Sequence, residues 1–402
     1  MNIQENVSLA PLTTLQVGGA ARYFVEARGE DEVREAVRFA KARGLPLFVL
    51  GGGSNLVVAD AGWPGLVLKI AIGGITSPSL QSAGGSNAVL FTVGAGVSWD
   101  DFVAFAVSQN CAGLECLSGI PGSVGGTPVQ NVGAYGQEVG ETIESVRALD
   151  TKVDLKPDIK EDRVVTLPKP ACGFRYRSSI FNRAAGAVGG GERGRYIILQ
   201  VNYRLKRGGA ACLKYADLQK YFEGRTDGAA ERASAAPGKV PSGNVSSLSN
   251  GPSSENAPSS NAPSLSEVRE AVRTIRRGKG MLIVRGDEDS RSVGSFFKNP
   301  VLGEAAFGEL RERAGARGLT ISSYPALDGQ HKVSAAWLVE HSGFGKGFRM
   351  GRAGISSKHA LALINPGEAR ADDIIELKDA IQRSVEEQWG IRLEPEPVLV
   401  GF

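Results

Sequence analysis

Two glycine-rich loops are where this sequence could first do chemistry. The stretch GGGSN, residues 51–55, directly follows the apolar run LPLFVL. Successive backbone N–H groups in such a turn can converge on an anion, and a phosphate is the obvious guest. A second loop, LSGIPGSVGGTPVQNVGAYGQE (117–138), again offers backbone donors with little side-chain bulk. One such loop alone reads as a plain turn; two in one half suit a long diphosphate cofactor. Leu56 stands where a dinucleotide fingerprint requires its third glycine, and no G-x-x-x-x-G-K-[ST] occurs, so Rossmann and P-loop binding are both unsupported. A third stretch, RSVGSFFKNP (291–300), sets a hydroxyl, paired aromatics, an ammonium and an amide side by side after the acidic GDEDS.

These loops need elements to hold them. In DEVREAVRFAKAR (31–43), Val33, Ala36, Val37 and Ala40 recur at helical spacing, Gly44 ends the pattern, and a buried strand follows. Short strands and glycine turns continue through LVLKIAIGGI and VLFTVGAGVSW, and a short helix is expected over 100–110. Beyond ADLQKYFE and before the helix LSEVREAVRTIRRGK, residues 224–264 lose nearly all aromatic and large aliphatic side chains, which predicts a disordered insert. The remainder alternates strand-like LIVR, helix SAAWLVEHSG, strand ALALIN and the long helix ADDIIELKDAIQRSVEEQWG.

At 402 residues the chain needs two or three cores. A net charge of +3 spread along the sequence implies neither a nucleic-acid surface nor a membrane patch. Cys111, Cys116, Cys172 and Cys212 show no paired spacing and read as reduced structural thiols, which fits the cytoplasm. The start, MNIQENVSLA, has no export-signal pattern, and the three scattered histidines fit no metal site.

In order, LGGGSN, IPGSVGGTPVQNVGAYGQE, FRYRSSIF, GSFFKNP and LEPE resemble the UDP-N-acetylenolpyruvoylglucosamine reductase (MurB) family, flavoenzymes of bacterial cell-wall synthesis, in the subgroup with an extra loop. The resemblance implies an α+β, three-part flavoprotein: a two-part FAD module of the vanillyl-alcohol-oxidase type and a C-terminal α/β substrate unit. The expected division is 1–72 with the tail 393–402, then 73–277, then 278–392. It implies bound FAD, NADPH as reductant, UDP-N-acetylglucosamine enolpyruvate as substrate, and a monomer. Gly51, Gly52, Gly53, Ser54 and Asn55 would hold FAD together with Gly119, Ile120, Pro121, Gly122, Val124, Gly125, Gly126, Gly133, Ala134 and Tyr135.

By the same resemblance Ser295 donates a proton to a carbanion-like carbon, Arg177 binds the enolpyruvyl carboxylate, and Glu396, protonated, helps polarise the intermediate. Tyr215 would cap the substrate, and Lys279, Asn299, His359 and Tyr176 would contact it. Tyr215 reads equally as a core aromatic of its helix. Two departures stand out: Asn182 where relatives often carry lysine, and Ser178 where aspartate is common. A sugar or alcohol oxidase on the same scaffold explains the glycine loops but not GSFFKNP with LEPE. A non-catalytic flavin or nucleotide-sugar module would not need Ser295, Arg177 and Glu396 together. Deleting residues 226–262 is expected to change the thermal unfolding midpoint by under about 2 °C, since a solvated insert contributes little packing; a larger fall would show that it packs.

Overall fold

The computed structural model describes residues 1–77, 87–152, 164–184, 191–223, 262–326 and 329–402. The expected insert therefore lies, up to residue 261, outside the described residues. The first sheet runs in the order Gln4–Ser8, Ala20–Ala27, Trp63–Ile70, Leu47–Leu50, with its first pair antiparallel and the rest parallel. Parallel neighbours need a crossover, and the helix Glu30–Ala42 supplies it. Its acidic first turn, Glu30, Asp31 and Glu32, suits the positive end of the helix dipole. Val33, Ala36, Val37 and Ala40 bury the stripe expected from their spacing against Val25, Ala27, Leu66 and Leu68.

The second sheet is antiparallel and centres on the long strand Tyr196–Arg207, flanked by Ile143–Asp150 and Ala88–Gly94. The helix Trp99–Ser108 covers it, stacking Trp99 and Phe102 on Phe91 and Tyr203. Tyr203 is enclosed, and its hydroxyl is paired with Thr127 Oγ1 at 2.9 Å, so the buried polar tip is satisfied. Both sheets contribute to one continuous apolar core.

From residue 301 onward two small antiparallel sheets, 301–302 with 331–333 and 323–325, and 349–350 with 353–355 and 363–364, pack with the helices Glu304–Gly315, Ala335–Glu340 and Ala371–Trp389. The run LIVR forms no strand. Instead the Ser290 hydroxyl accepts from the Val284 N–H and donates to the Leu282 carbonyl, so a side chain satisfies the backbone that a sheet would otherwise pair. Of ALALIN only Leu363–Ile364 is strand. Val398–Val400 returns to pair in parallel with Leu56–Val58.

The two glycine loops meet backbone to backbone. A Cβ on Gly52 would lie 2.5 Å from Gly122 Cα, while one on Gly29 would meet nothing within 4 Å. Gly52→Ala should therefore cost about 1–3 kcal/mol of stability through overpacking, and Gly29→Ala under about 0.5 kcal/mol. Thermal unfolding of the two variants checks this; equal effects would show that the loops can separate freely.

Candidate active site

A cavity of about 1160 Å³ runs between the parts. That exceeds an ordinary small-ligand pocket and can hold a dinucleotide beside a second ligand. Its lining includes Gly51–Asn55, Ile120–Ser123, Gly125 and Gly126 together with Arg177, Ser295 and Glu396. Of the residues expected to hold the cofactor, Gly119 and Val124 do not line it: Val124 is buried and its N–H donates to the Val97 carbonyl. Ser123, which the sequence reading passed over, does line it, and its buried Oγ has no partner among the described residues. An orphaned hydroxyl between two glycine turns is a contact waiting for a polar ligand, and this fits a diphosphate cofactor.

Arg177 Nε lies 3.2 Å from Glu396 Oε1, and Arg177 Nη1 donates to the Gly133 carbonyl at 2.9 Å. Arg177 has a left-handed backbone, φ 51°, unusual for a side chain of its size. Asn182 holds that turn: its Nδ2 donates to the Arg177 carbonyl and its Oδ1 accepts from the Ser179 N–H. The departure at Asn182 is thus a brace under the arginine. Ser178 Oγ accepts from Arg183.

Glu396 is fixed by backbone. Its N–H donates to the Phe296 carbonyl at 2.8 Å, and Lys298 N–H donates to the Glu394 carbonyl at 3.0 Å, so 296–298 runs alongside 394–396. Phe296 and Phe297 are enclosed in the core, and Gly294 takes φ 76° just before Ser295. Asn55 Nδ2 donates both to Gln130 Oε1 and to the Glu396 carbonyl. Its side chain, expected at the cofactor, is spent partly on the tail. Burial pushes the Glu396 carboxyl above the usual range, although Arg177 and Lys298 pull the other way.

Tyr215, Lys279 and His359 also line the cavity. The Tyr215 ring meets Tyr135 edge-on at 5.3 Å and stays 41 % exposed, so it is no core aromatic. Lys279 Nζ is 2.5 Å from Asp217 Oδ2. His359 Nδ1 accepts from the Leu361 N–H, which leaves a proton on Nε2, and burial with Lys279 and Lys346 nearby lowers the imidazole pKa to about 4. It is a neutral donor at ordinary pH.

Asn299 and Tyr176 do not reach the lining. Asn299 Oδ1 accepts from the Ala335 N–H at a helix start. Tyr176 is exposed with Lys332 Nζ 4.5 Å from its ring, and Tyr324, 56 % exposed, pairs across the sheet with Lys332. Tyr324 and the lining residue Arg276 were not singled out from sequence. An isolated Tyr-Pro step and one of two adjacent arginines carry no local signal. Among the described residues no His, Cys, Asp or Glu cluster could hold a metal, and no helix is long and apolar enough to cross a membrane.

Comparison with known proteins gives two family matches. Residues 21–153 match the family described as FAD binding domain, and residues 287–400 match that described as UDP-N-acetylenolpyruvoylglucosamine reductase, C-terminal domain. The chain is 41 % identical over 399 residues to a UDP-N-acetylenolpyruvoylglucosamine reductase of Saccharopolyspora erythraea, covering 98 % of this chain and 94 % of that one. It is 38 % identical to the protein of the same name from Thermobifida fusca, covering 98 % and 97 %. In fold it is similar to the crystal structure of the reductase from Thermus caldophilus, with a TM-score of 0.57 at 23 % identity over 100 % of this chain and 99 % of the other.

Because Arg177 lowers the Glu396 pKa against the effect of burial, Arg177→Met should raise it further. Carboxyl NMR titration reads this directly. An unchanged or lower value would mean that the two side chains do not interact as the 3.2 Å contact implies.

Proposed function

The chain belongs to the UDP-N-acetylenolpyruvoylglucosamine reductase family, and we propose that Ser295, Arg177 and Glu396 carry its chemistry. It is an FAD enzyme that uses NADPH to reduce UDP-N-acetylglucosamine enolpyruvate to UDP-N-acetylmuramate for peptidoglycan synthesis. The observation that carries the assignment of roles is convergence. Arg177, Ser295 and Glu396, from stretches far apart in sequence, line one cavity together with the glycine loops.

When bound, FAD supplies the relay that passes a hydride from NADPH to the substrate double bond. The protein's part is to orient the enolpyruvyl group and manage the resulting charge. Arg177 presents a rigid guanidinium suited to grip a carboxylate, and its braced turn keeps that donor in place before substrate arrives. Glu396, pushed toward its neutral form, can donate a hydrogen bond to the developing negative charge instead of repelling it. The Ser295 hydroxyl then delivers its proton to the carbon left electron-rich by hydride addition. A serine can act as this acid only because a carbanion is far more basic than an alkoxide in a fixed geometry.

Lys279, His359 and Tyr215 line the same cavity, and the reading assigns them to the rest of the nucleotide sugar. Lys279 would exchange Asp217 for a phosphate, and His359 would offer Nε2–H. Asn299 Oδ1 is taken by the Ala335 N–H, its Nδ2 has no partner among the described residues, and Tyr176 keeps an exposed ring; both would need substrate, or closure, to reach the nucleotide end. The three-part division fits the pairing of the tail with Leu56–Val58, and the free thiols, buried at Cys111, Cys116 and Cys172 and half-buried at Cys212, are in keeping with a reducing cytoplasm. We take the working unit to be a monomer.

The test is NADPH oxidation by the flavin-loaded protein with and without UDP-N-acetylglucosamine enolpyruvate. Substrate-dependent oxidation is expected; peroxide formation without NADPH would favour an oxidase. Ser295→Ala should leave reduction of the flavin by NADPH nearly intact and slow the second half-reaction by at least about 10²-fold, the usual size of a lost general acid. Equal losses in both halves would make Ser295 structural.

A further inference from the structure

Glu115 is an enclosed carboxylate that the chemistry above does not use. It opens the short helical turn Glu115–Leu117 just before the second glycine loop, and among the described residues it makes no ion pair. Every partner of its side chain is a donor. Oε2 accepts from the Gly113 N–H at 2.7 Å, and Oε1 accepts from Gln137 Nε2 at 2.8 Å and from the Cys212 N–H at 2.9 Å. Gln137 is set in turn by the Cys116 N–H, which donates to its Oε1 at 2.8 Å. Three donors and no acceptor suit a carboxylate; an amide here would set one donor against another. Desolvating such a group opposes folding, so the bond that reaches farthest along the chain, to Cys212 across 97 positions, needs a reason.

Cys212 lies in the segment 208–215, which leaves the strand Tyr196–Arg207 and ends at Tyr215, where a helix begins. From Ala210 to Lys214 the backbone hydrogen bonds among the described residues are both at Cys212: its N–H donates to Glu115, and its carbonyl accepts from Cys116 Sγ at 3.2 Å. The segment then passes close over Gly136, where an added Cβ would lie 3.3 Å from Lys214 Cβ. Tyr215 follows and meets Tyr135. On its far side Leu218 is buried, and the Leu218 N–H donates to the Tyr215 carbonyl at 3.0 Å. Tyr215 is thus held from both directions, by the packing of Leu218 after it and by the Glu115 bond before it. The contact of Asp217 with Lys279 is a third tie, and one that is given up if Lys279 turns to a phosphate.

We propose that Glu115 is a positioning residue for Tyr215: it pins the segment at Cys212, so that the ring stands at the cavity before substrate arrives. Glu115, Gln137 and Cys212 do not line the cavity, while Tyr215 does, so the carboxylate acts on substrate only through that ring. Ordering a loose segment at the moment of binding would subtract from affinity, and an anchor set during folding removes that cost. The anchor also outlasts binding. Its donors lie behind the lining, and the bond persists when Lys279 leaves Asp217. The inference rests on the reductase reading, with Tyr215 as the cap over the substrate.

The experiment uses the FAD-loaded protein with the two side chains swapped, Glu115→Gln together with Gln137→Glu. The swap keeps one carboxylate and the bond between the pair, and leaves acceptors for the Gly113 and Cys116 N–H groups; the Cys212 N–H alone is left facing a donor. KM for UDP-N-acetylglucosamine enolpyruvate should rise at least about fivefold, the low end for one unpaired buried N–H. kcat should stay within about twofold, as for an interaction made equally in ground and transition states. FAD affinity should hold, and backbone amide exchange should quicken over 212–215 but not in the glycine loop. In a Tyr215→Ala background the swap should move KM by less than about twofold, because its effect runs through that ring. An equal rise in both backgrounds, or an unchanged KM with faster exchange, overturns the inference. Should the swapped protein not fold, Cys212→Pro removes the same N–H from the other side and should give the same rise, while Cys212→Ser, which keeps the N–H, should stay within about twofold of the unmodified protein. An unchanged KM in the proline variant is equally fatal. If the unmodified protein shows no substrate-dependent NADPH oxidation, the reductase reading fails and the inference falls with it; if it does and KM ignores the swap, the inference fails alone.

Discussion

The site depends on one non-local piece of backbone pairing. Residues 394–396 run beside 296–298, with Glu396 N–H on the Phe296 carbonyl and Lys298 N–H on the Glu394 carbonyl, and two residues later Val398 N–H reaches the Asn55 carbonyl. Asn55 closes the loop by donating to the Glu396 carbonyl, a contact spanning 341 positions. Loop closure over such a separation opposes folding, and what offsets it is the packing of Phe296, Phe297 and Val400 in the cores around it. Ser295 and Glu396 therefore have a fixed relation to each other and to the first glycine loop. Arg177 joins them from a separate turn, held by Asn182 and Gly133.

Charge follows from that geometry. The cavity lining gathers Arg177, Arg276 and Lys279, and the carboxylates about them are either committed, as Asp217 and Asp100 behind the lining are, or pushed toward neutrality, as Glu396 is. Such a site is tuned to receive negative charge. His359 adds a neutral donor rather than a further cation, because burial beside Lys279 makes protonation unfavourable. The glycine loops add backbone donors and the Ser123 hydroxyl, which has no partner among the described residues.

Where local rules act alone, the sequence was legible. The helix Glu30–Ala42 announces itself by apolar spacing and an acidic start, the helix Leu265–Gly278 by a capping box, and the glycine loops by their composition. LIVR misled because an apolar run cannot show that the Ser290 side chain will take the backbone bonds a neighbouring strand would make. Gly119 and Val124 misled in another way: a loop motif names a stretch, but which of its residues face the cavity depends on what packs behind them. Arg276 stayed hidden beside Arg277, since only the fold half-buries one of two adjacent arginines and sets it in the cavity lining. Asn182 reads as a mere departure until the left-handed turn above it is seen.

The parallel pairing of Val398–Val400 with Leu56–Val58 also orders events in time. During synthesis the first glycine loop leaves the ribosome some 340 residues ahead of the strand that clasps it, a separation set by the Asn55 to Glu396 contact. A nascent chain can thus build both large sheets and still lack Glu396 and the clasp behind Asn55. The pairing that sets Glu396 against the first glycine loop is therefore among the last contacts the chain can form.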